Sequence, residues 1–218
     1  MFAPIDRAQT STVIHRGERH PARIPLVGGF NVENALAAAA AALAAGRPLD
    51  TVIERLRTVP QVPGRLERVV DGPVVVFIDF AHTPDALERV IATLRPLVTG
   101  RLIVLFGAGG DRDVTKRPPM AAAVAAAADL AVLTSDNPRT EDPESILDDL
   151  EPGLAGTEFV REVDRRAAIR LAISSAHDGD LVLLAGKGHE RTQTIGTERQ
   201  PFDEAEIARA AWAERGAA

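Results

Sequence analysis

Four short, unbroken apolar runs constrain this chain most: Val74–Ile78, Leu102–Phe106, Leu130–Leu133 and Leu181–Leu184. Each is too short for a stable helix. A strand with one wet face would alternate apolar and polar residues, and these do not. They therefore read as strands buried on both faces, which is the mark of a parallel sheet. Helical stretches separate them. Thr83-Pro84-Asp85 opens a helix whose apolar positions Leu87, Val90, Ile91 and Leu94 keep helical spacing. Pro118-Pro119 opens an alanine-rich one. Asp142-Pro143-Glu144 places an N-cap before a proline at the first helical position and predicts a helix over Pro143–Leu150. Further helices are expected over Asp164–Ala176 and from about Asp203 to Arg215. Glu158–Val160 reads as a weak strand and Thr192–Ile195 as an edge strand. This β-α order predicts an α/β fold: a doubly wound, mostly parallel sheet with helices on both faces and right-handed crossovers.

The first 60 or so residues carry a different pattern. Ser11–His15 and Ala22–Leu26 read as two strands around a turn at Arg16–Arg19. A helix is expected over Asn31–Ala45, stopped by Gly46. A shorter amphipathic one follows Pro48, with Val52, Ile53 and Leu56 on one face. Pro60-Gln61-Val62-Pro63-Gly64 is the best linker in the chain. A chain of 218 residues has room for one large or two modest domains. A net charge of −6 argues against a nucleic-acid or anionic-membrane surface. There is no cysteine, so disulfide and thiolate chemistry are excluded. The longest apolar stretch, Ala35–Ala45, is too short to span a bilayer. Met1-Phe2-Ala3-Pro4 lacks the features of a signal peptide, and the cytoplasm is the expected location.

Four loops would leave the C-terminal ends of these strands and line one edge of the sheet, where open α/β folds bind ligands. They are Asp79–Pro84, Gly107–Asp113, Thr134–Arg139 and Gly186–Glu190. Each carries ionisable groups. In Asp136-Asn137-Pro138-Arg139 the proline stiffens the residue before it. The loop offers an anion, an amide and a guanidinium. That set suits a zwitterion, with Arg139 for a carboxylate, and Asp136 and Asn137 for ammonium groups or for holding the loop. The plainer alternative is a turn whose Asp136 and Arg139 are solvated. The glycine loop is not a dinucleotide fingerprint, because Arg112 falls where a small residue is needed. Gly186-Lys187 is not a phosphate loop, because the upstream glycine and the following Ser/Thr are absent. Lys187 and Arg112 could be simple solvated charges, and His82 and His189 loop histidines bonded to backbone. Asp79, His82, His189 and Glu190 match no strong metal-binding spacing, and no protein-held metal is expected.

Together these loops resemble the Mur ligase family. So do Gly29-Phe30-Asn31-Val32-Glu33-Asn34-Ala35-Leu36-Ala37 and Val62-Pro63-Gly64-Arg65-Leu66-Glu67. The resemblance runs from about Gly28 to the end. Within the family, Asp136-Asn137-Pro138-Arg139 is similar to the motif of members that add meso-diaminopimelate. The resemblance implies a Rossmann-like C-terminal domain over residues 65–218, preceded over residues 1–64 by the tail of the ATP-binding central domain. It implies an ADP-forming acid–amino-acid ligase of peptidoglycan precursor synthesis. Such an enzyme phosphorylates the carboxylate of UDP-MurNAc-L-Ala-D-Glu with ATP. The amine of meso-diaminopimelate then attacks the acyl phosphate, and a tetrahedral intermediate collapses to amide, ADP and phosphate. By resemblance Asn31 and Asn34 lie near adenine, Arg65 and Asp79 contact phosphate and ribose, and His82 lies close to the nucleotide. Arg112, Asp136, Asn137, Pro138, Arg139, Gly186 and Glu190 would hold meso-diaminopimelate.

The chain departs from the family in places. It contains no G-x-x-x-x-G-K-[ST] stretch. By resemblance that loop, the Mg²⁺-binding residues, the modified lysine and the UDP-sugar domain would precede residue 1 or be supplied by another chain. The chain alone is then expected to be inactive. Phe80 stands where the family usually has tyrosine and Ala108 where cysteine is common, and Asp203-Glu204-Ala205-Glu206 lacks an arginine often seen there. Two further readings stay open: a stand-alone, non-catalytic module that binds diaminopimelate, and another Mur-like amide ligase of the folylpolyglutamate or cyanophycin type. The Asp136–Arg139 loop argues against the last.

Overall fold

The structure, a computed structural model, describes residues 9–216. The N-terminal Met1-Phe2-Ala3-Pro4 stretch lies outside them. The chain divides into two compact units, the first ending at Val62 and the second starting at Pro63.

The first unit begins with a hairpin of β1 (Gln9–His15) and β2 (Glu18–Ile24), paired from Gln9↔Ile24 to His15↔Glu18. Its two-residue turn, Arg16-Gly17, has positive φ at both positions (51° and 87°), which matches the twist of a tight hairpin. Helices α1 (Gly29–Ala44) and α2 (Leu49–Arg57) follow. Val13, Ala22, Ile24, Ala35, Ala39, Val52 and Leu56 form a small core. Of the α1 alanines only Ala35 and Ala39 are buried, and the exposed ones favour the helix intrinsically rather than by packing.

The second unit is built on a six-stranded sheet. In chain order its elements are β3 (Glu67–Asp71), β4 (Val75–Asp79), α3 (Pro84–Leu94), β5 (Leu102–Phe106), α4 (Arg117–Ala125), β6 (Leu130–Leu133), α5 (Pro143–Leu150), β7 (Phe159–Arg161), α6 (Arg165–Ser174) and β8 (Leu181–Ala185). A hairpin of β9 (Thr192–Ile195) and β10 (Glu198–Pro201) and a final helix α7 (Glu204–Arg215) complete it. The spatial order of the sheet is β3-β4-β8-β5-β6-β7. All neighbours are parallel except β3, which pairs antiparallel with β4 at one edge. The last sheet strand in the chain, β8, therefore slots between β4 and β5. In open α/β sheets such a reversal of strand order marks the place, at the C-terminal strand ends, where ligands bind.

Helices cover both faces. Ile78, Ile103, Leu105, Val132, Val182 and Leu184 pack against Ala168, Ile169, Ala172 and Ile173 of α6 and Ile207, Ala208 and Ala211 of α7. The alternate strand residues, such as Phe77, Val104 and Phe106, point to the opposite face and are equally buried. Helices α3 and α4 pack together there, as do α4 and α5. Side-chain N-caps start several helices: Thr83 for α3, Asp142 for α5, Asp164 for α6 and Asp203 for α7.

Two strands depart from the sequence expectation. Thr192–Ile195 is not an edge of the main sheet. It pairs with Glu198–Pro201 in a separate two-stranded hairpin around Gly196, and that partner strand carries no apolar signal because it is fully exposed. Glu67–Asp71, of which only Glu67 belongs to the Val62–Glu67 motif, carries no strand expectation, yet it forms β3; as an edge strand it buries only Val70, so no clean alternation shows. Among the described residues no helix is long and apolar enough to cross a membrane.

Candidate functional site

The loop after β6 is not a solvated turn. Thr134, Ser135, Asp136 and Asn137 are all buried, Asp136 at 6% exposure and Asn137 at 8%. Neighbouring segments pin its backbone. Gln193 Nε2 donates to the Asp136 carbonyl at 2.8 Å, and Gly110 N–H donates to the Asn137 carbonyl at 2.9 Å. Arg139 N–H donates to the Thr194 carbonyl at 3.1 Å, which ties the loop to the β9–β10 hairpin. Arg139 itself is left-handed, with φ of 53°, a conformation uncommon for a side-chain-bearing residue and held here by its surroundings. Its Nη1 donates to the Gly110 carbonyl at 2.6 Å.

The glycines after β5 earn their place by close approach to this loop. A Cβ on Gly107 would lie 2.1 Å from the Thr134 carbonyl oxygen, and one on Gly110 would lie 1.9 Å from that of Pro138. The two loops thus lie backbone against backbone. Asp111, also left-handed, accepts from Thr140 Oγ1 at 2.9 Å and Thr140 N–H at 3.2 Å. Glu141 accepts from Asp111 N–H at 3.0 Å and from the buried Arg117 at 2.5 Å. A Cβ on Gly109 would sit 3.0 Å from Arg139 Nη1 and 3.7 Å from the Arg112 side chain, so both arginines flank that glycine. Arg112 is exposed beyond it.

The loop after β8 shows where the solvated-charge reading fails. Lys187 has no solvent exposure. Gly186 and Gly188 on either side have positive φ, 116° and 53°, a freedom that glycine has and other residues lack. A Cβ on Gly186 would lie 2.8 Å from Asp136 Oδ2; one on Gly188 would lie 2.6 Å from Phe80 Cβ. The lysine side chain therefore turns under the Asp136–Arg139 loop. Its ammonium donates to Asn137 Oδ1 at 2.9 Å and to the Thr192 carbonyl at 3.0 Å. Asp136 Oδ1 stands 3.6 Å away and Glu190 Oε2 3.4 Å. Burial pulls this ammonium below the usual lysine range, and Asp136 opposes the shift. Asn137 is committed to the protein: Oδ1 also accepts from Thr194 N–H at 2.9 Å, and Nδ2 donates to Glu190 Oε2 at 2.9 Å. Of its two expected roles, holding the loop is the one that these bonds carry. Asp136 and Glu190 keep further acceptor capacity.

A second group gathers after β4. Asp79 is 7% exposed and accepts from Leu66 N–H at 2.8 Å and Ala81 N–H at 2.9 Å. Burial raises its carboxyl, against those two bonds and Arg65. Arg65 is exposed, with its guanidinium 5.0 Å from the centre of the Phe80 ring. His82 meets the same ring edge-on at 4.6 Å, and its Nδ1 donates to the Phe80 carbonyl at 2.7 Å. Asn31 and Asn34 belong to the first unit. Asn31 is buried, donating to the Val27 carbonyl at 2.6 Å, and Asn34 is exposed on α1. Among the described residues no group of three or more His, Asp or Glu side chains converges as metal ligands would.

Beside Lys187, the sequence reading missed Arg165 and Glu204, both sealed from solvent beneath the same loops. The available signal was a lysine held between two glycines directly after a buried strand. Nothing comparable marks Arg165 or Glu204, which lie in ordinary helix-start contexts.

Residues 64–188 match the family "Mur ligase, glutamate ligase domain". The chain is 53% identical over 197 residues to the UDP-N-acetylmuramoyl-L-alanyl-D-glutamate–2,6-diaminopimelate ligase of Nostoc sp., covering 88% of this chain and 40% of that one. It is 50% identical over 194 residues to the ligase of the same name from Geobacillus kaustophilus, with the same coverages. A solved structure of a ligase of that name superposes with a TM-score of 0.71 at 40% identity, over 95% of this chain and 43% of the other. The Mycobacterium tuberculosis folylpolyglutamate synthase shares the fold, with a TM-score of 0.64 at 24% identity, over 93% of this chain and 47% of the other. The chain thus spans about 40% of the length of the curated relatives it matches.

Proposed function

The chain belongs to the Mur ligase family, and from that membership we propose that it carries the amino-acid-binding part of an ADP-forming ligase that adds meso-diaminopimelate to UDP-MurNAc-L-Ala-D-Glu. The observation that carries this reading is the pairing of Arg112 and Arg139 about Gly109, on the loop edge that also holds Asp136 and Glu190. Meso-diaminopimelate has two carboxylates and two ammonium groups, and these residues supply two guanidiniums and two acids. We assign Arg139 and Arg112 to carboxylate and Asp136 and Glu190 to ammonium. Gly186 lets the backbone pass close to Asp136, and Pro138 stiffens the loop. Asn137 sets its shape. Lysine lacks the distal carboxylate and would leave a guanidinium desolvated and unpaired, a mismatch that discriminates well.

In the reaction the dipeptide carboxylate is activated by ATP, and the bound amine attacks it. The contribution assigned to this chain is to hold that amine in one orientation, which lowers the entropic part of the barrier. Arg65, Asp79 and His82 are assigned to the ATP side, with Asp79 acting as a brace for the turn at Leu66. Asn31 and Asn34 are assigned to adenine. The cradle for the β- and γ-phosphates and the Mg²⁺ site are assigned to no residue here, and the 218-residue chain alone is proposed not to turn over ATP. We further assign residues up to 64 to the end of the central domain, and the protein to the cytoplasm, where soluble nucleotide precursors are made.

Thermal unfolding of the purified chain with meso-diaminopimelate, with lysine and with neither tests the reading. A ligand that binds only the folded state raises the midpoint by mass action. A rise with meso-diaminopimelate and none with lysine is expected. Equal behaviour of the two amino acids would overturn the assignment, and phosphate release from ATP well above background by the chain alone would overturn the claim of inactivity.

A further inference from the structure

One side chain gathers most of what shapes the amino-acid loop. The Lys187 ammonium meets acceptors from three separate segments: Asn137 Oδ1 and Asp136 Oδ1 after β6, Glu190 Oε2 after β8, and the Thr192 carbonyl at the start of β9. Asn137 closes the ring by donating to Glu190 and accepting from Thr194 N–H. An ammonium offers three protons that can spread over converging acceptors, and here none is left for a ligand. With no exposed surface, Lys187 also has no path to one.

We propose that Lys187 is the positioning residue of the amino-acid site: from beneath, it sets the spacing of Asp136, Asn137 and Glu190 without itself touching the ligand. The role rests on the reading that this loop binds an amino acid. A neutral, apolar residue of the same length would leave Asp136 and Glu190 without their shared cation, and a buried charge that loses its partner is strongly unfavourable. An arginine keeps the charge, but its planar fork cannot reproduce three converging bonds in a space closed on every side. The Asp136–Arg139 loop is therefore expected to be ordered only when a lysine stands at 187. Arg139, which hangs from the β9 hairpin through its own N–H, is positioned through the same network.

The test compares the parent chain with Lys187→Met and Lys187→Arg. Backbone hydrogen exchange is read at Arg139 and Thr194, whose N–H groups belong to the network, and at Val104 and Leu183 in the centre of the sheet. Affinity for meso-diaminopimelate is read by calorimetry on the same samples. The expected result is exchange at Arg139 and Thr194 accelerated about tenfold or more beyond any change at Val104 and Leu183, the signature of local rather than global opening. Affinity is expected to fall in parallel. Uniform acceleration at all four sites would mean a merely structural lysine and would overturn the proposal. So would unchanged affinity alongside a loosened loop. If the methionine variant does not fold, the arginine variant decides by the same criteria. If the parent binds no meso-diaminopimelate and the local exchange pattern still holds, the loop-setting role is supported and the amino-acid reading is the part overturned.

Discussion

Arg165 and Glu204 form an ion pair sealed from solvent, with Nε and Nη2 at 2.8 and 2.7 Å from the same carboxylate oxygen, Oε1. The guanidinium also donates to the Ala185 carbonyl at 2.8 Å and the Ser135 carbonyl at 3.3 Å. Those carbonyls stand at the end of β8 and near the start of the loop after β6, at the base of the candidate site. Starting from α6, Arg165 thus joins two strand ends to the first turn of α7. Among the described residues Glu204 Oε2 has no hydrogen-bond partner, and burial raises its carboxyl against the pull of Arg165.

Glu204→Leu leaves the Arg165 charge uncompensated, and the expected loss of stability is roughly 3–5 kcal/mol. The double variant Arg165→Met/Glu204→Leu is expected to lose less than Glu204→Leu alone, because no buried charge is then left over. Urea unfolding of the parent, both single variants and the double variant measures this as a cycle. Simple additivity would show that the pair is not coupled.

Arg139→Ala is expected to abolish the preference for meso-diaminopimelate over lysine. It removes a guanidinium whose Nη1 is already aimed by the Gly110 carbonyl. The loss should come from weaker meso-diaminopimelate binding, with lysine binding little changed. Calorimetric titration of parent and variant with both amino acids decides it, and equal preference in the two proteins would refute the role.

Gly188→Ala and Gly156→Ala make a matched pair. Both glycines have positive φ, 53° and 86°. A Cβ on Gly188 would also strike Phe80 Cβ at 2.6 Å and the Gly64 carbonyl at 2.9 Å, while one on Gly156 meets nothing within 4 Å among the described residues. Gly156→Ala should cost about 1–2 kcal/mol, the backbone term alone. Gly188→Ala should cost clearly more and should also disturb the Lys187 turn. Thermal midpoints rank them, and similar losses would mean that the contact to Phe80 relaxes freely.

Asp180 links pH to stability. It is 4% exposed, and burial alone would raise its carboxyl. Backbone N–H groups of Arg101 and His177, at 2.7 and 2.9 Å, and the Arg101 guanidinium outweigh that and hold it below the ordinary 3.8. A carboxyl lowered in the folded state adds stability that is complete above its unfolded value and is lost as pH falls through the folded one. Asp180→Asn should therefore cost about 1–3 kcal/mol near neutral pH, and the gap from the parent should shrink below pH 3.8. Denaturant titrations over acidic to neutral pH check the sign. A gap that widens toward low pH would contradict it.

Much of the fold was legible because its signals are local. Leu102–Phe106 and Leu130–Leu133 are strands with the bounds read from their apolar runs, and Pro143–Leu150 is the helix that its Asp142 cap and first-position proline predict. The β9–β10 hairpin was less legible. Glu198–Pro201 is fully exposed and is held by pairing rather than by its own pattern. β3 escaped notice for a related reason, since an edge strand is under little pressure to alternate cleanly.

By itself the sequence determined that four charged loops would share one edge, because parallel strands send all their C-terminal ends the same way. It also determined which residue types those loops carry, and hence the family that they resemble. Only the tertiary structure decided what each charge is for. Lys187 reads in sequence like any loop lysine, yet Gly186 and Gly188 turn it inward under Asn137, 50 residues away in the chain. Arg165 and Glu204 likewise meet across 39 positions. Whether a charged side chain is solvated or enclosed depends on what the rest of the chain packs around it, and no local pattern encodes that.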